Sequence, residues 1–211
     1  MRISLIGMSG SGKSHWSFNL SRHGFTRFCC DDLISDKLAS ELKRGNGELL
    51  TLGQWMGFPF DPGYREKEAK YLAREKAVLA EILDRLEEMS RTGSSENVVV
   101  DTTGSVIYTG NDLLQRLKSL TLMIHFASPP EARALMLREY AARPRPVLWR
   151  DHFGMKPGES RQEALRRCYE VLLDSRERLY RELADIEIDY KTRMNPELAI
   201  SDFLGLLEKA G

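Results

Sequence analysis

The sequence predicts an α/β fold, a three-layer sandwich in which helices cover both faces of one parallel sheet. Short apolar runs of strand length alternate along the chain with longer segments of helical period, which is the pattern of repeated strand–helix–strand units. A length of 211 residues suits one domain of this kind, with small insertions. We therefore expect a single domain over residues 1–211.

The N-terminal strand and the loop after it carry the most specific motif. An apolar strand over residues 2–6 precedes the loop, and a helix over about residues 13–22 follows it. The loop fits G-x-x-x-x-G-K-[ST] at every fixed position and reads Gly7-Met8-Ser9-Gly10-Ser11-Gly12-Lys13-Ser14. In such a phosphate-binding loop, or P-loop, backbone N–H groups and the helix N-terminus converge on phosphate oxygens.

The P-loop predicts that this chain binds a nucleoside triphosphate and Mg²⁺. Lys13 is expected to reach the outer phosphates as a point charge, and the Ser14 hydroxyl is placed to bind Mg²⁺. The nucleotide-binding residues predicted from the loop are Gly7, Ser9, Gly10, Ser11, Gly12, Lys13 and Ser14. The alternative is a glycine-rich turn that binds nothing, which the complete motif and the preceding strand disfavour.

Two acids follow the second predicted strand, over residues 25–30. The carboxyl ends of parallel strands face the ligand crevice, so Asp31 and Asp32 should lie on the same edge as the P-loop. Both could instead cap the helix that follows, which aspartate does well. We favour capping for Asp32 and a functional role for Asp31.

The next segment, over about residues 31–92, is predicted to form the substrate side of the site. Residues 43–62 are expected to be irregular, and their aromatic residues, glycines and prolines suggest a lid or flap rather than a linker. A long amphipathic helix over about residues 64–90 follows. Arg65 and Glu68 lie three residues apart in its first turns, on one face, and could pair.

A third strand over residues 98–101 ends in an acid, and hydroxyl residues follow it. An apolar run closing on aspartate resembles a Walker B element, in which the carboxylate holds Mg²⁺ directly or through water, so Asp101 is a candidate metal ligand. The residues Thr102-Thr103-Gly104-Ser105 could approach a substrate or the γ-phosphate. A fourth strand over residues 120–126 carries His125, which we expect to be a buried core histidine.

Basic residues and prolines follow the helix predicted over residues 131–142. Arg138, Arg143 and Arg145 near these bends suggest a mobile lid that brings positive charge onto a phosphate, within a lid and insertion over about residues 138–159. The alternative is a surface basic patch. The remaining predicted elements are a helix over residues 160–184, a strand over 186–190 and a final helix capped by Asn195-Pro196.

The charge balance and the cysteine count exclude several classes of protein. Lys plus Arg and Asp plus Glu both number 31, so no basic excess argues for a nucleic-acid partner. Three cysteines without a framework fit a reducing cytosol and are too few and too poorly spaced for a zinc site. The chain starts with a strand rather than a signal peptide, and no apolar run approaches membrane-spanning length. We expect a cytoplasmic protein, monomeric or weakly dimeric, that binds a small molecule and has no nucleic-acid or membrane partner.

With these elements placed, the chain resembles the shikimate kinases along nearly its whole length. The resemblance rests on the P-loop, on Asp31 after the second strand, on Tyr64-Arg65-Glu66-Lys67-Glu68 and on Arg145-Pro146-Val147-Leu148. It implies a single P-loop kinase domain with a five-stranded parallel sheet in the order 2-3-1-4-5, a lid and a substrate-side flap. It further implies transfer of the γ-phosphate of ATP to a hydroxyl of a small carboxylate-bearing metabolite.

The resemblance also implies roles for individual residues. Asp31 would bind the acceptor's hydroxyls, Arg65 would bind its carboxylate, and Arg145 would stabilise the transferring phosphoryl group. Arg176 would be a second substrate arginine, and Gly104 would meet the substrate through its backbone. The residues implied on the adenine side are Arg138 and Arg193, and the catalytic set is Lys13, Asp31 and Arg145.

The sequence departs from the family pattern at positions that bear on the acceptor. Cys29 stands at the family's first acid position, and Asp101 stands where a small residue is usual and could take over that metal-linked role. The family's Gly-Gly-Gly turn reads Thr103-Gly104-Ser105 here, so only the middle glycine is kept. The alternatives are a nucleotide or gluconate-type kinase on the same scaffold, or a nucleotide-binding regulatory module without transfer activity.

Overall fold

A computed structural model describes residues 1–45 and 47–208 of the chain. Its five strands form one sheet in the order β2-β3-β1-β4-β5, and every neighbouring pair is parallel. The predicted parallel sheet and its strand order are therefore confirmed. The strands are β1 (Arg2–Ile6), β2 (Phe25–Cys29), β3 (Asn97–Asp101), β4 (Leu122–Phe126) and β5 (Ile186–Ile188).

Helices connect these strands and cover both faces of the sheet. Within the described residues they are α1 (Lys13–Ser21), α2 (Cys30–Lys37), α3 (Ala39–Leu42), α4 (Leu52–Met56), α5 (Tyr64–Arg91), α6 (Asn111–Leu120), α7 (Pro130–Ala142), α8 (Arg161–Leu183), α9 (Tyr190–Met194) and α10 (Ile200–Glu208). Short 3₁₀ turns lie at Val106–Tyr108 and Arg150–His152.

Alternation along the strands divides the core into two layers, because successive side chains of a strand point to opposite faces. Ile3 and Leu5 of β1 pack in the cluster where Trp16 of α1 stacks on Phe203 of α10. Val98 and Val100 of β3 face the other way and belong to the cluster that holds the apolar residues of α5 and α8. Each large apolar side chain buried in these layers stabilises the fold by about 1.5–3 kcal/mol.

Helix α5 changes character along its length. The buried side chains of its C-terminal half are apolar and pack in the core, whereas those of its N-terminal half carry polar groups. These polar groups belong to Tyr64, Glu68, Tyr71 and Glu75. The helix therefore anchors itself in the core with one half and presents a buried polar face with the other.

Two short helices differ from the sequence-based expectations. The segment 43–62 is not irregular throughout, because α4 forms behind a capping box in which Thr51 and Gln54 exchange hydrogen bonds. The last strand is also shorter than predicted: Asp189 accepts a hydrogen bond from Thr192 N and caps α9. Asn195-Pro196 consequently follows α9 and does not cap the final helix, which begins at Ile200.

His125 is fully buried in β4, as predicted, and its Nδ1 lies 3.0 Å from Glu187 Oε2. None of the helices in the described part of the chain combines the length and the apolar character that crossing a lipid bilayer requires.

Candidate active site

The loops that follow the strands meet at one edge of the sheet, where a cavity of about 520 Å³ lies beside the P-loop. The P-loop follows β1, Asp31 opens α2 after β2, and Thr102 follows β3. The cavity lies between P-loop residues 9–12 and residues of α7, α9 and the segment behind α9. Its lining includes apolar side chains such as Leu135 and Met136 beside the polar loop, the mixture expected of a small-molecule site.

The P-loop keeps the tight backbone that its glycines permit. Gly7 has φ 139°, and a side chain there would place its Cβ only 2.9 Å from Phe126 O. Gly12 has φ 95° and directly precedes α1, so the helix begins with its N–H groups facing the loop. Both conformations are strained for a residue with a side chain.

Lys13 is buried under this loop. Its Nζ donates to Gly7 O at 2.8 Å and to Met8 O at 3.0 Å, and it has no carboxylate within ion-pair distance among the described residues. Burial lowers the pKa of Lys13, while the negative charges of Asp101 and Asp31 act in the opposite direction. A buried cation with only carbonyl partners fits a site for the anionic phosphates of a nucleotide.

Arg145 lies directly over the P-loop. Its Nη1 is 2.8 Å from the position that a Cβ on Gly10 would occupy. The chain just before it touches the substrate-side flap, because a Cβ on Gly53 of α4 would lie 1.8 Å from Pro144 O. The lid and the flap are therefore in contact, and the lid arginine reaches the nucleotide side of the site.

Asp31 lies at the start of α2 and is held from α5. The hydroxyl of Tyr71 donates to Asp31 Oδ1 at 2.9 Å, and the Tyr71 side chain is fully buried. Burial raises the pKa of Asp31, and the hydrogen bond from Tyr71 and the charge of Lys13 oppose this rise. The neighbouring Asp32 is exposed, 3.7 Å from an Arg27 nitrogen, so the two acids have different environments.

Asp101 is buried and already has a basic partner. Its Oδ2 accepts from Ser17 Oγ and from Arg27 Nη2, each at 2.8 Å. Its other oxygen, Oδ1, has no hydrogen-bond partner among the described residues, and the Ser14 side chain is exposed beside the loop. A hydroxyl and a carboxylate oxygen are both ligand types that suit Mg²⁺, and Arg27 partly neutralises the carboxylate.

The architecture of the whole chain can be compared with known structures. A shikimate kinase from Acinetobacter baumannii, solved in complex with shikimate, is 20% identical, with a TM-score of 0.59 over 99% of this chain and 90% of that one. A shikimate kinase from Bacteroides thetaiotaomicron is 18% identical, with a TM-score of 0.59 over 99% of this chain and 97% of that one. The chain has the shikimate kinase fold. No protein-family model and no curated protein sequence matches it.

Beyond this shared fold, the two arginines predicted to bind substrate have different environments. Arg65 is 61% exposed and lies 3.7 Å from Glu68 Oε2 and 3.5 Å from Asp151 Oδ1. Arg176 is 1% exposed and donates to Gly104 O at 3.0 Å and to Leu148 O at 2.5 Å. Arg176 thus holds the backbone of the site, whereas Arg65 is a surface side chain.

The two arginines predicted on the adenine side also differ. Arg193 lines the cavity but is buried, and its Nε donates to Ser11 O at 2.8 Å, so it braces the P-loop from α9. Arg138 is exposed on α7 and does not line the cavity, although other residues of α7 do. Of these two arginines, Arg193 lines the cavity and Arg138 does not.

Sequence reasoning missed a hydrogen-bonded clamp between α5 and the lid. Tyr64 OH donates to Val147 O at 2.7 Å and accepts from Trp149 N at 2.9 Å. Glu68 Oε1 accepts from Arg150 N at 2.8 Å. The motif around Arg65 was recognised for its arginine, but in this structure its aromatic and acidic members fix the lid backbone.

Tyr71 and Glu75 were missed as well. They follow Glu68 at helical spacing on the buried face of α5. Polar groups that recur on the face of a helix that otherwise packs in the core were the sequence signal that could have identified them.

Proposed function

We propose that this chain is an ATP- and Mg²⁺-dependent kinase that transfers the γ-phosphate to a hydroxyl of a small carboxylate-bearing metabolite. The observation that carries the proposal is that two cations flank the P-loop: Lys13 is buried beneath it, and Arg145 Nη1 lies over Gly10. The charge of Asp31 acts to raise the pKa of Lys13, which links the two halves of the site. The shikimate kinase fold of the chain supports the same reaction class. Donor and acceptor halves of such a site must face each other.

The residues divide into a donor half and an acceptor half. Lys13 and Arg145 would neutralise the charge of the phosphates, and the P-loop N–H groups would hold their oxygens. Ser14 and Asp101 would hold Mg²⁺, which supplies further neutralisation of phosphate oxygens when bound. The adenine side would be formed by the cavity beside Arg193, with Arg138 at its margin.

Asp31 would act on the acceptor. Its carboxylate would accept the proton of the attacking hydroxyl while that oxygen bonds to the γ-phosphorus and the bond to the leaving diphosphate breaks. Gly104 would meet the acceptor through its backbone. Arg65 and Arg176 would bind the acceptor carboxylate. For this, Arg65 would turn away from the buried Glu68 and the exposed Asp151, which its Nη1 meets only at 3.7 Å and 3.5 Å.

The test is a phosphate-transfer screen of the purified chain with Mg²⁺ and ATP. The panel contains shikimate, gluconate, nucleosides and nucleoside monophosphates, so it also examines nucleotide and gluconate-type kinases. We expect transfer to one class of acceptor, and none by the Lys13→Ala variant. Absence of transfer to every acceptor would contradict the proposal.

A nucleotide-binding regulatory module without transfer activity is the second candidate. The Arg27–Asp101 pair favours it, because a guanidinium occupies one oxygen of the predicted metal ligand. The two candidates separate in the same screen. A module would gain thermal stability from ATP, by a few kcal/mol at about a hundredfold excess over Kd, without consuming it.

We place the protein in the cytoplasm as a monomer or weak dimer. Cys29, Cys30 and Cys168 are all free thiols, which suits a reducing compartment.

A further inference from the structure

Glu75 is a buried carboxylate on the acceptor side to which no role has been assigned. It is 2% exposed and has no basic group within ion-pair distance among the described residues. Two hydroxyl groups approach it instead. Ser105 Oγ donates to its Oε2 at 2.7 Å, and Thr103 Oγ1 donates to its Oε1. A buried carboxylate is costly unless hydrogen-bonded, so these two donors are what make its position tolerable.

The turn that supplies these hydroxyls touches both halves of the site. Its central residue, Gly104, packs on the P-loop so closely that an added Cβ would lie 2.9 Å from Ser9 N. Gly104 O accepts from Arg176 Nη1 at 3.0 Å and from Tyr180 OH on the other side. Glu75 therefore holds the turn from α5 while α8 holds it from the opposite side.

The hydrogen-bond pattern requires the ionised form of Glu75. Both carboxylate oxygens act as acceptors, and a proton on either would oblige one hydroxyl to reverse its bond. An alternative partner is close, because Ser105 Oγ lies 3.2 Å from Thr103 Oγ1. Protonation would thus cost the turn one of its two charge-assisted hydrogen bonds to α5 and weaken its attachment on that side.

We propose that Glu75 is a positioning residue for phosphoryl transfer: as a carboxylate it fixes the turn Thr103–Ser105 against the P-loop and so keeps the acceptor side aligned with the donor phosphates. This inference rests on the proposed kinase function for its effect on turnover. Its effect on the turn itself is independent of that function.

The surroundings of Glu75 make its ionisation sensitive to pH in the neutral range. Burial raises the pKa of Glu75 to about 7, the hydroxyls of Thr103 and Ser105 lower it, Asp31 raises it, and Arg176 lowers it. The other titratable groups that face it are Cys30 from α2 and Tyr71 from its own helix. The carboxylate should therefore be largely formed at pH 8 and largely protonated at pH 6.

The experiment compares the full-length chain with its Glu75→Gln variant, in which the amide keeps one acceptor oxygen and the side-chain shape. Amide hydrogen exchange of residues 102–106 is measured at pH 6 and pH 8 and corrected for the intrinsic pH dependence of exchange. We expect protection in the unsubstituted chain to rise on the order of tenfold towards pH 8, as one lost hydrogen bond implies, and protection in the variant to stay constant.

Kinetics give the second readout. Glu75→Gln should lower kcat/KM for the acceptor by about tenfold, leave KM for ATP nearly unchanged and remove the limb of the pH profile near neutrality. Glu81→Gln is the matched control, because Glu81 lies on the same helix, is exposed and forms a surface ion pair with Lys37. Ser105→Ala, which removes a hydroxyl rather than the carboxylate, should reproduce the direction of the effect.

Equal protection of residues 102–106 at both pH values in the unsubstituted chain would overturn the proposal. Identical behaviour of Glu75→Gln and Glu81→Gln would overturn it as well. If the unsubstituted chain transfers phosphate to no acceptor, the kinase function fails, while hydrogen exchange still decides the role of Glu75.

Discussion

Tyr71 donates a hydrogen bond of 2.9 Å to Oδ1 of Asp31, and so fixes an acid at the start of α2 from the N-terminal half of α5. The two residues are 40 positions apart in the chain. The orientation of the proposed base is therefore set by the substrate-side helix rather than by its own loop.

Tyr71→Phe should move the acid limb of the pH–rate profile to higher pH. The Tyr71 hydroxyl lowers the pKa of Asp31 against the rise caused by burial, so its removal raises that pKa further. Because the base must be ionised, turnover should fall by roughly tenfold at the acid end and recover at alkaline pH. Steady-state kinetics at about seven pH values from 5.5 to 9 measures this shift of the acid limb. A uniform loss of turnover at every pH would contradict the prediction.

Asp31→Asn should lose turnover and keep nucleotide binding. An amide cannot accept the proton of the acceptor hydroxyl, which costs about 10²–10⁴-fold in rate. Lys13→Ala should lose both, since Lys13 serves the phosphates. Asp32→Asn is the matched control, because Asp32 is exposed and should tolerate the same change. Calorimetric titration with ATP measures nucleotide binding, and the transfer assay measures turnover, so together they distinguish the variants. Unchanged phosphate transfer by Asp31→Asn would refute the role of Asp31 as base.

The Arg27–Asp101 pair should behave as a coupled unit. Arg27→Met leaves the buried Asp101 carboxylate with Ser17 alone and should destabilise the fold by roughly 2 kcal/mol, below the range for fully buried pairs because Arg27 is partly exposed. Adding Asp101→Asn should recover part of this loss. Urea unfolding of both single variants and the double variant gives the coupling, and strictly additive changes would contradict it.

A magnesium titration tests the metal role of Asp101 separately. If Oδ1 helps to hold Mg²⁺, Asp101→Asn should raise the Mg²⁺ concentration for half-maximal activity by about tenfold or more. Mutation of residues that support a metal site typically weakens metal binding by this much. Arg27→Met should not raise it, because that change leaves Oδ1 intact.

Glu75→Gln should change the pH dependence of folding stability. The pKa of Glu75 is raised from 4.5 to about 7 in the folded chain, so the folded state binds more protons than the unfolded state between these values. Stability from this group is therefore present at low pH and lost as pH rises to 7. Relative to the unsubstituted chain, the variant should gain roughly 3 kcal/mol between pH 4.5 and 8. Denaturant titrations across this range check it, and a pH-independent difference would refute it.

The parts of the molecule that could be predicted from sequence depend on local patterns. The P-loop, the strands and α5 each show such a pattern over a short stretch of sequence. The parallel sheet follows from the alternation of strands and helices along the chain. Helices α4 and α9 were missed because five residues are too few to show a period, and only their capping residues mark them.

The contacts of the site were less accessible, because they depend on the register of the sheet. In the parallel pairing of β2 with β3, Asp101 lies opposite Cys29. Arg27 precedes Cys29 by two residues in β2 and so reaches Asp101 with its long side chain. Glu75 meets Thr103 and Ser105 across some 30 residues. Arg65 shows a further limit of the sequence, since its motif position is recognisable but does not reveal that its side chain is exposed in this structure.

The bond from Arg193 to Ser11 spans 182 residues, and it has a consequence for biosynthesis. A nascent chain that has been translated only to residue 189 contains the whole P-loop but lacks the arginine that braces it. ATP should therefore protect stalled chains of that length from protease much less than chains that extend to residue 208. Nucleotide would then stabilise the nascent chain only after Arg193 has been synthesised, and equal protection of both lengths would argue against this.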